Sequence, residues 1–74
     1  MKYGIILAPQ PEGGFTVSVP DLPGCVSQGE TLDECRQNIA DAIEGWLLTA
    51  QDQGWPLPEP KTSFEEIEVL PPKA

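Results

Sequence analysis

An α+β fold of order β-β-β-α-β is what this 74-residue sequence predicts, and three features carry the prediction. Phe15-Thr16-Val17-Ser18-Val19 alternates apolar and polar residues, as a half-buried strand does. Pro20-Asp21-Leu22-Pro23-Gly24-Cys25 then redirects the chain with two prolines and a glycine. After Gly29-Glu30-Thr31, the apolar residues Leu32, Cys35, Ile39, Ala42, Ile43, Trp46, Leu47 and Ala50 recur every three or four positions, the spacing of a helix with one buried face. None of these segments contains a recognisable catalytic constellation, so binding rather than chemistry is expected.

In the first strand Tyr3, Ile5 and Leu7 share one face, with Lys2, Gly4, Ile6 and Ala8 on the other. Pro9-Gln10-Pro11-Glu12-Gly13-Gly14 is too long for a two-residue turn and suits a longer hairpin loop that tolerates positive φ. Phe15, Val17 and Val19 form the apolar face of the second strand, and Cys25-Val26-Ser27-Gln28-Gly29 is short enough to be an edge strand. Thr31 can accept from the Glu34 N–H while the Glu34 carboxylate reaches back to the Thr31 N–H, and Asp33 adds negative charge at the positive helix end. The helix is expected over about residues 32–53, roughly 33 Å long, closed by a left-handed cap at Gly54 and stopped by Trp55-Pro56.

Pro56-Leu57-Pro58-Glu59-Pro60 reads as a stiff extended connection, with a proline-rich docking ligand as the functional alternative. Ser63-Phe64-Glu65-Glu66 could open a helix, but Pro71 arrives too soon, and Glu66-Ile67-Glu68-Val69-Leu70 alternates as a strand. A right-handed crossover then places this fourth strand parallel beside the first, giving a mixed sheet of order 3-2-1-4 with the helix on one face. The opposite face, carrying Gly4, Ile6, Ala8, Thr16 and Ser18, is left uncovered. Ile6, Leu48 and Trp55 are apolar residues outside the main stripe and are the candidates for self-association into a homo-oligomer.

Residues 1–74 are read as a single domain with a marginal core. Twelve acidic residues against four basic give a net charge of −8. That balance disfavours nucleic acid, whose binding draws on Lys and Arg, and favours encounter with a basic protein. Pro9 ends the first apolar run well short of a signal peptide or a membrane span, so a cytoplasmic location is expected. Cys25 and Cys35 are too few for a disulfide framework, and with no histidine there is no zinc pattern. Cys35 lies on the apolar helix face as a small core residue; a bridge to Cys25 stays open.

A tyrosine in the first strand, the Pro20-Asp21-Leu22-Pro23-Gly24-Cys25 turn, Gly29-Glu30-Thr31-Leu32-Asp33-Glu34-Cys35 and Asn38-Ile39-Ala40-Asp41-Ala42-Ile43 together resemble the HicB-like antitoxin family, over almost the whole chain. The resemblance implies a truncated RNase H-like fold, oligomerisation, and binding to a small basic HicA-type toxin that cleaves mRNA and has a double-stranded-RNA-binding-like fold. Charge agrees with it, because an acidic protein can cover a cationic RNA-binding surface without doing chemistry. Asp21, Glu30, Asp33, Glu34, Glu65, Glu66 and Glu68 are the candidate contacts; for each the alternative is a solvated acidic surface, and for Glu34 a helix cap.

The Pro-Asp-Leu-Pro-Gly motif reads as structural, with Asp21 bonding nearby backbone. Many family members continue into a ribbon-helix-helix or helix-turn-helix segment, whereas this sequence stops at Pro71-Pro72-Lys73-Ala74, so operator binding is not expected. An orphan oligomeric scaffold without a toxin is the alternative function. A metal-dependent nuclease would need converging carboxylates where the first strand offers Tyr3, Gly4 and Ile5, and Glu66 or Glu68 alone cannot form the cluster. Neither a cofactor, a metal nor a catalytic residue is assigned.

Overall fold

The computed structural model describes residues 1–72. Strands β1 (Ile6–Pro9), β2 (Phe15–Ser18) and β3 (Val26–Gly29) precede one long helix, α1 (Leu32–Asp52). The strands form an antiparallel sheet in the order β1-β2-β3. Its cross-strand rows run from Ile6–Ser18–Val26 at one end to Pro9–Phe15–Gly29 at the other. The hairpin loop closes with Gln10 N–H to Gly14 O and Gly13 N–H to Gln10 O, both 3.0 Å, and Gly13 and Gly14 supply the expected positive φ.

β1 is shorter than the alternation of residues 2–8 suggests. Tyr3 and Ile5 nevertheless pack on the core beside Leu7, on the face the alternation assigns them. Val17, Val19, Leu22, Cys25, Cys35 and Ile39 form the buried cluster, and Ala42, Ile43, Trp46 and Leu47 close over it. The helical stripe therefore covers the sheet as its spacing requires, except that Leu32, at the first turn, is 39% exposed. Leu22 is fully buried although it belongs to a turn: Leu22 N–H donates to Val19 O at 3.1 Å and Cys25 N–H to Leu22 O at 3.0 Å, which rolls its side chain inward.

Thr31 caps α1 from an extended conformation, and its hydroxyl accepts from Glu34 N–H at 3.1 Å. The reciprocal contact is displaced by one residue from the expected capping box. Glu34 Oε1 accepts from Glu30 N–H, at 3.4 Å, rather than from Thr31. The cause is Gly29, which packs so closely on the first helical turn that a Cβ there would lie 2.9 Å from Cys35 N; the N–H that follows is thereby carried over Glu34. At the other end Gly54, with φ +72°, lets its own N–H reach Gln51 O (3.1 Å) and the Trp55 N–H reach Ala50 O (2.8 Å), a Schellman closure. Trp55 folds back on Trp46, with ring centroids 6.5 Å apart.

The fourth strand and the order 3-2-1-4 are absent from this single copy: residues 55–72 carry no strand. Ile67, Val69 and Leu70 are 80%, 76% and 93% exposed. The last tail contact is Phe64 on Gly4, and the residues beyond it bury none of their large apolar side chains. The radius of gyration, 15.1 Å, exceeds the roughly 11 Å of a compact chain of this length, and the extents are 54 × 27 × 17 Å.

Candidate protein-binding surface

Where the hairpin loop faces the start of α1, two side chains fix the backbone. Gln10 Nε2 donates to Thr16 Oγ1 at 3.1 Å, and Asn38 Nδ2 donates to Gln28 O at 2.7 Å. Between them lies an open cleft of ≈ 390 Å³ whose walls include Glu12, Gln28, Glu30, Glu34 and Asn38. Three carboxylates thus share one polar concavity. Such a site offers acceptors for Lys or Arg side chains of a partner, in bonds stronger than those between neutral groups.

The sequence candidates are distributed as follows. Glu30 and Glu34 line the cleft together. Asp33, on the same helical turn, instead pairs with Arg36 at 2.9 Å on the open surface, where such a pair contributes little. Glu12, Gln10 and Asn38 were not anticipated; the Gly13-Gly14 turn that brings the loop opposite the helix is the signal that could have found them. Glu65, Glu66 and Glu68 are exposed on the tail and take no part in the cleft.

Asp21 does not bond the nearby backbone; it holds the tail, 40 residues further along. Its carboxylate accepts from Thr62 Oγ1 at 2.6 Å, Thr62 N–H at 3.0 Å and Lys61 N–H at 3.1 Å. The Thr62 hydroxyl, then the backbone amides, keep its carboxyl below the usual aspartate range. Two further contacts pin the same segment: the Tyr3 hydroxyl donates to Pro58 O, and the Phe64 ring packs directly on Gly4, where any Cβ would collide with it.

A second, apolar groove between Val26, Gly45, Trp46 and Trp55 lies beside the turn. Trp46 Nε1 donates to Pro23 O at 2.9 Å across it. Of the residues assigned to self-association, Trp55 lines this groove, Leu48 is exposed on α1, and Ile6 lies on the sheet face turned away from α1 in the row of Ser18 and Val26. Cys25 and Cys35 are both buried and both free thiols, and burial pushes the Cys25 thiol up. Among the described residues no group of three metal-ligating side chains gathers, and no helix is long and apolar enough to cross a membrane.

Comparison with known proteins places this geometry. Residues 3–71 match the family model described as "HicB_like antitoxin of bacterial toxin-antitoxin system". The UPF0150 protein ssl0259 of Synechocystis is 39% identical over 95% of this chain and 96% of its own length. Antitoxin HicB of Escherichia coli K12 is also 39% identical, over 96% of this chain, which spans only 53% of that protein. Among solved structures, a chain of the HicA3 and HicB3 toxin-antitoxin complex superposes with a TM-score of 0.71 at 32% identity, covering 84% of this chain and 72% of the other. With motif, fold and sequence in agreement over nearly the whole length, this chain belongs to the HicB-like antitoxin family.

Proposed function

We propose that this chain is an antitoxin-type binding protein that neutralises a small basic HicA-type toxin by covering its cationic surface. The observation that carries the reading is the superposition on a chain from a solved toxin-antitoxin complex. The net charge of −8 supports it independently, since an acidic protein is steered to a basic one and competes with RNA phosphate for the same side chains. The cleft formed by Glu12, Glu30 and Glu34 is the contact this reading favours, as it presents three acceptors at one place. Glu65, Glu66 and Glu68 add acidic surface, whereas Asp21 serves as an anchor and Asp33 is partly neutralised by Arg36. Inhibition is then occlusion and not catalysis, in a cytoplasmic setting. A fourth strand, in the order 3-2-1-4, belongs to the assembled state; the alternation in residues 66–70 supports it. The exposed Ile67, Val69 and Leu70 favour, as the second reading, an oligomeric scaffold.

The test is titration of the full chain against a small basic HicA-type toxin encoded beside it, with RNA cleavage as the readout. Stoichiometric loss of cleavage is expected, with an affinity that falls as salt rises. The Glu30→Lys/Glu34→Lys double variant should bind at least tenfold more weakly, roughly 1.4 kcal/mol or more. Undiminished cleavage in the presence of excess folded chain would refute the reading.

A further inference from the structure

We propose that the outer edge of β3, with the Trp46 and Trp55 groove beside it, is a strand-addition site for an extended basic segment of the partner protein. This rests on the reading of the chain as the binder of a basic toxin and says where that toxin's backbone lies. Val19 N–H donates to Cys25 O, and the register carries the pattern through Val17–Ser27 and Phe15–Gly29. Val26 and Gln28 are therefore the β3 residues whose backbone groups point away from β2, on a strand that ends the sheet. Asn38 Nδ2 meets the Gln28 carbonyl at 2.7 Å, in the place an adjoining strand's N–H would take. Among the described residues, the Gln28 N–H and both backbone groups of Val26 have no such partner. Natural sheets blunt an edge of this kind with charge or proline, and β3 carries neither.

Beside this edge α1 is notched. Gly45 shares with Val26, Trp46 and Trp55 a groove of ≈ 320 Å³, and a Cβ on Gly45 would meet nothing within 4 Å. Glycine within a helix is less stable than alanine, and no contact inside this molecule requires it there; a backbone arriving from outside does. The notch is held open, because Trp46 Nε1 is bonded to Pro23 O and the Trp55 N–H to Ala50 O. The two indole rings, tilted by 55°, offer faces to the aliphatic stem and cationic head of a Lys or Arg. Charge selects the same occupant. Glu34, Asp41 and Asp52 are all exposed and fall within about 20° of one another around the helix, next to the line of Gly45 and Thr49 that borders the groove. Neither the groove nor the acidic cleft is lined by any Lys or Arg. A second copy of this chain would bring the same acidic row against itself, which disfavours β3 pairing between copies. Gln28 walls the cleft and Val26 walls the groove, so one strand laid along β3 engages both.

The test titrates the full, isotope-labelled chain with the basic HicA-type toxin encoded beside it. Amide exchange at Val26 and Gln28 should slow by at least about tenfold in the complex, while Ser27 and Gly29, already paired with β2, change little. Both tryptophans of the chain lie in the groove, so their emission should shift with the same midpoint. Gly45→Ala should raise the melting temperature of the free chain yet weaken the complex by at least about tenfold. Gly45→Leu should weaken it further, with an unchanged far-ultraviolet circular dichroism spectrum. Ala40→Leu, exposed about 140° around α1 from Gly45, should leave the affinity unchanged. Asp41→Lys/Asp52→Lys should weaken binding and flatten its salt dependence. A complex that leaves the Val26 and Gln28 amides unprotected, or that tolerates Gly45→Leu, would overturn strand addition while the antitoxin reading stands. No complex with the unmodified chain would overturn both, and the same protection in the chain alone at high concentration would overturn the basic occupant.

Discussion

Leu22→Ala is the substitution that best separates this account of the fold from a looser one. The Pro20-Asp21-Leu22-Pro23-Gly24 turn would normally be read as surface, yet Leu22 is 0% exposed and is the largest fully buried side chain. Alanine removes three buried carbons at about 0.8 kcal/mol each, close to 2.4 kcal/mol. The turn is tied to Val19 and Cys25 by backbone bonds and cannot collapse freely, so a residual cavity brings the cost to about 3–4 kcal/mol. A 74-residue domain has on the order of 4–11 kcal/mol in total, and the melting temperature should fall by at least about 12 °C. Urea unfolding followed by tryptophan fluorescence reads the change well, because Trp46 bonds the carbonyl of the adjacent Pro23. Leu48→Ala, at a 54% exposed position, is the control and should stay within about 0.5 kcal/mol of the parent. A Leu22→Ala cost under about 1 kcal/mol, or one equal to that of Leu48→Ala, would refute the turn as part of the core.

Gly29→Ala should destabilise by about 1–3 kcal/mol in thermal melts, since its Cβ would fall 2.9 Å from Cys35 N and 3.1 Å from Cys35 Sγ at a turn whose backbone cannot retreat. Thr31→Ala removes the acceptor for Glu34 N–H and should cost about 1 kcal/mol, seen as faster amide exchange confined to the first turn of α1. Asp21 titrates below the ordinary aspartate value because of Thr62, so its hold on the tail is complete above about pH 3.9 and is lost as pH falls through the lower folded value. The Lys61 and Thr62 amide resonances should therefore move together in that acid range, and Asp21→Asn should abolish the titration; a midpoint above the ordinary value would contradict the bonding described.

Much of the fold was legible because each local signal agreed with its neighbours. The alternation in residues 15–19, the Thr31 cap, the stripe from Cys35 to Ala50 and the Gly54 stop each depend on contacts within a few residues, so sequence spacing states them directly. Leu22 and Asp21 were harder. A leucine between two prolines looks exposed until the inward roll of the turn is known, and nothing near Asp21 announces that its partners lie at Lys61 and Thr62. The fourth strand is not formed in residues 55–72, for a related reason. Period-two alternation specifies that residues 66–70 suit a sheet, but no signal near them fixes where the chain docks after Phe64 settles on Gly4. The cleft was half legible: Glu30 and Glu34 lie in one sequence run, whereas Glu12 joins them only through the hairpin.

The acidic cleft and the anchored base of the tail occupy opposite ends of the sheet, and that separation has a functional consequence. Pro9, Phe15 and Gly29 form the row nearest the acidic cleft; Ile6, Ser18 and Val26 form the row nearest Gly4 and the anchored base of the tail. A basic protein seated on Glu12, Glu30 and Glu34 therefore leaves the anchored tail at Asp21 and Gly4 untouched. Neutralising part of the −8 charge at one end weakens the repulsion between copies at the other, so toxin binding and self-association should reinforce each other. By reciprocity, Ile67→Ser/Val69→Ser, which trims exposed apolar surface without changing charge, should leave the salt dependence of toxin binding unaltered, whereas Glu30→Lys/Glu34→Lys should weaken toxin binding while easing self-association. Substitutions at the two ends that produced identical effects would mean that one surface, not two, serves both purposes.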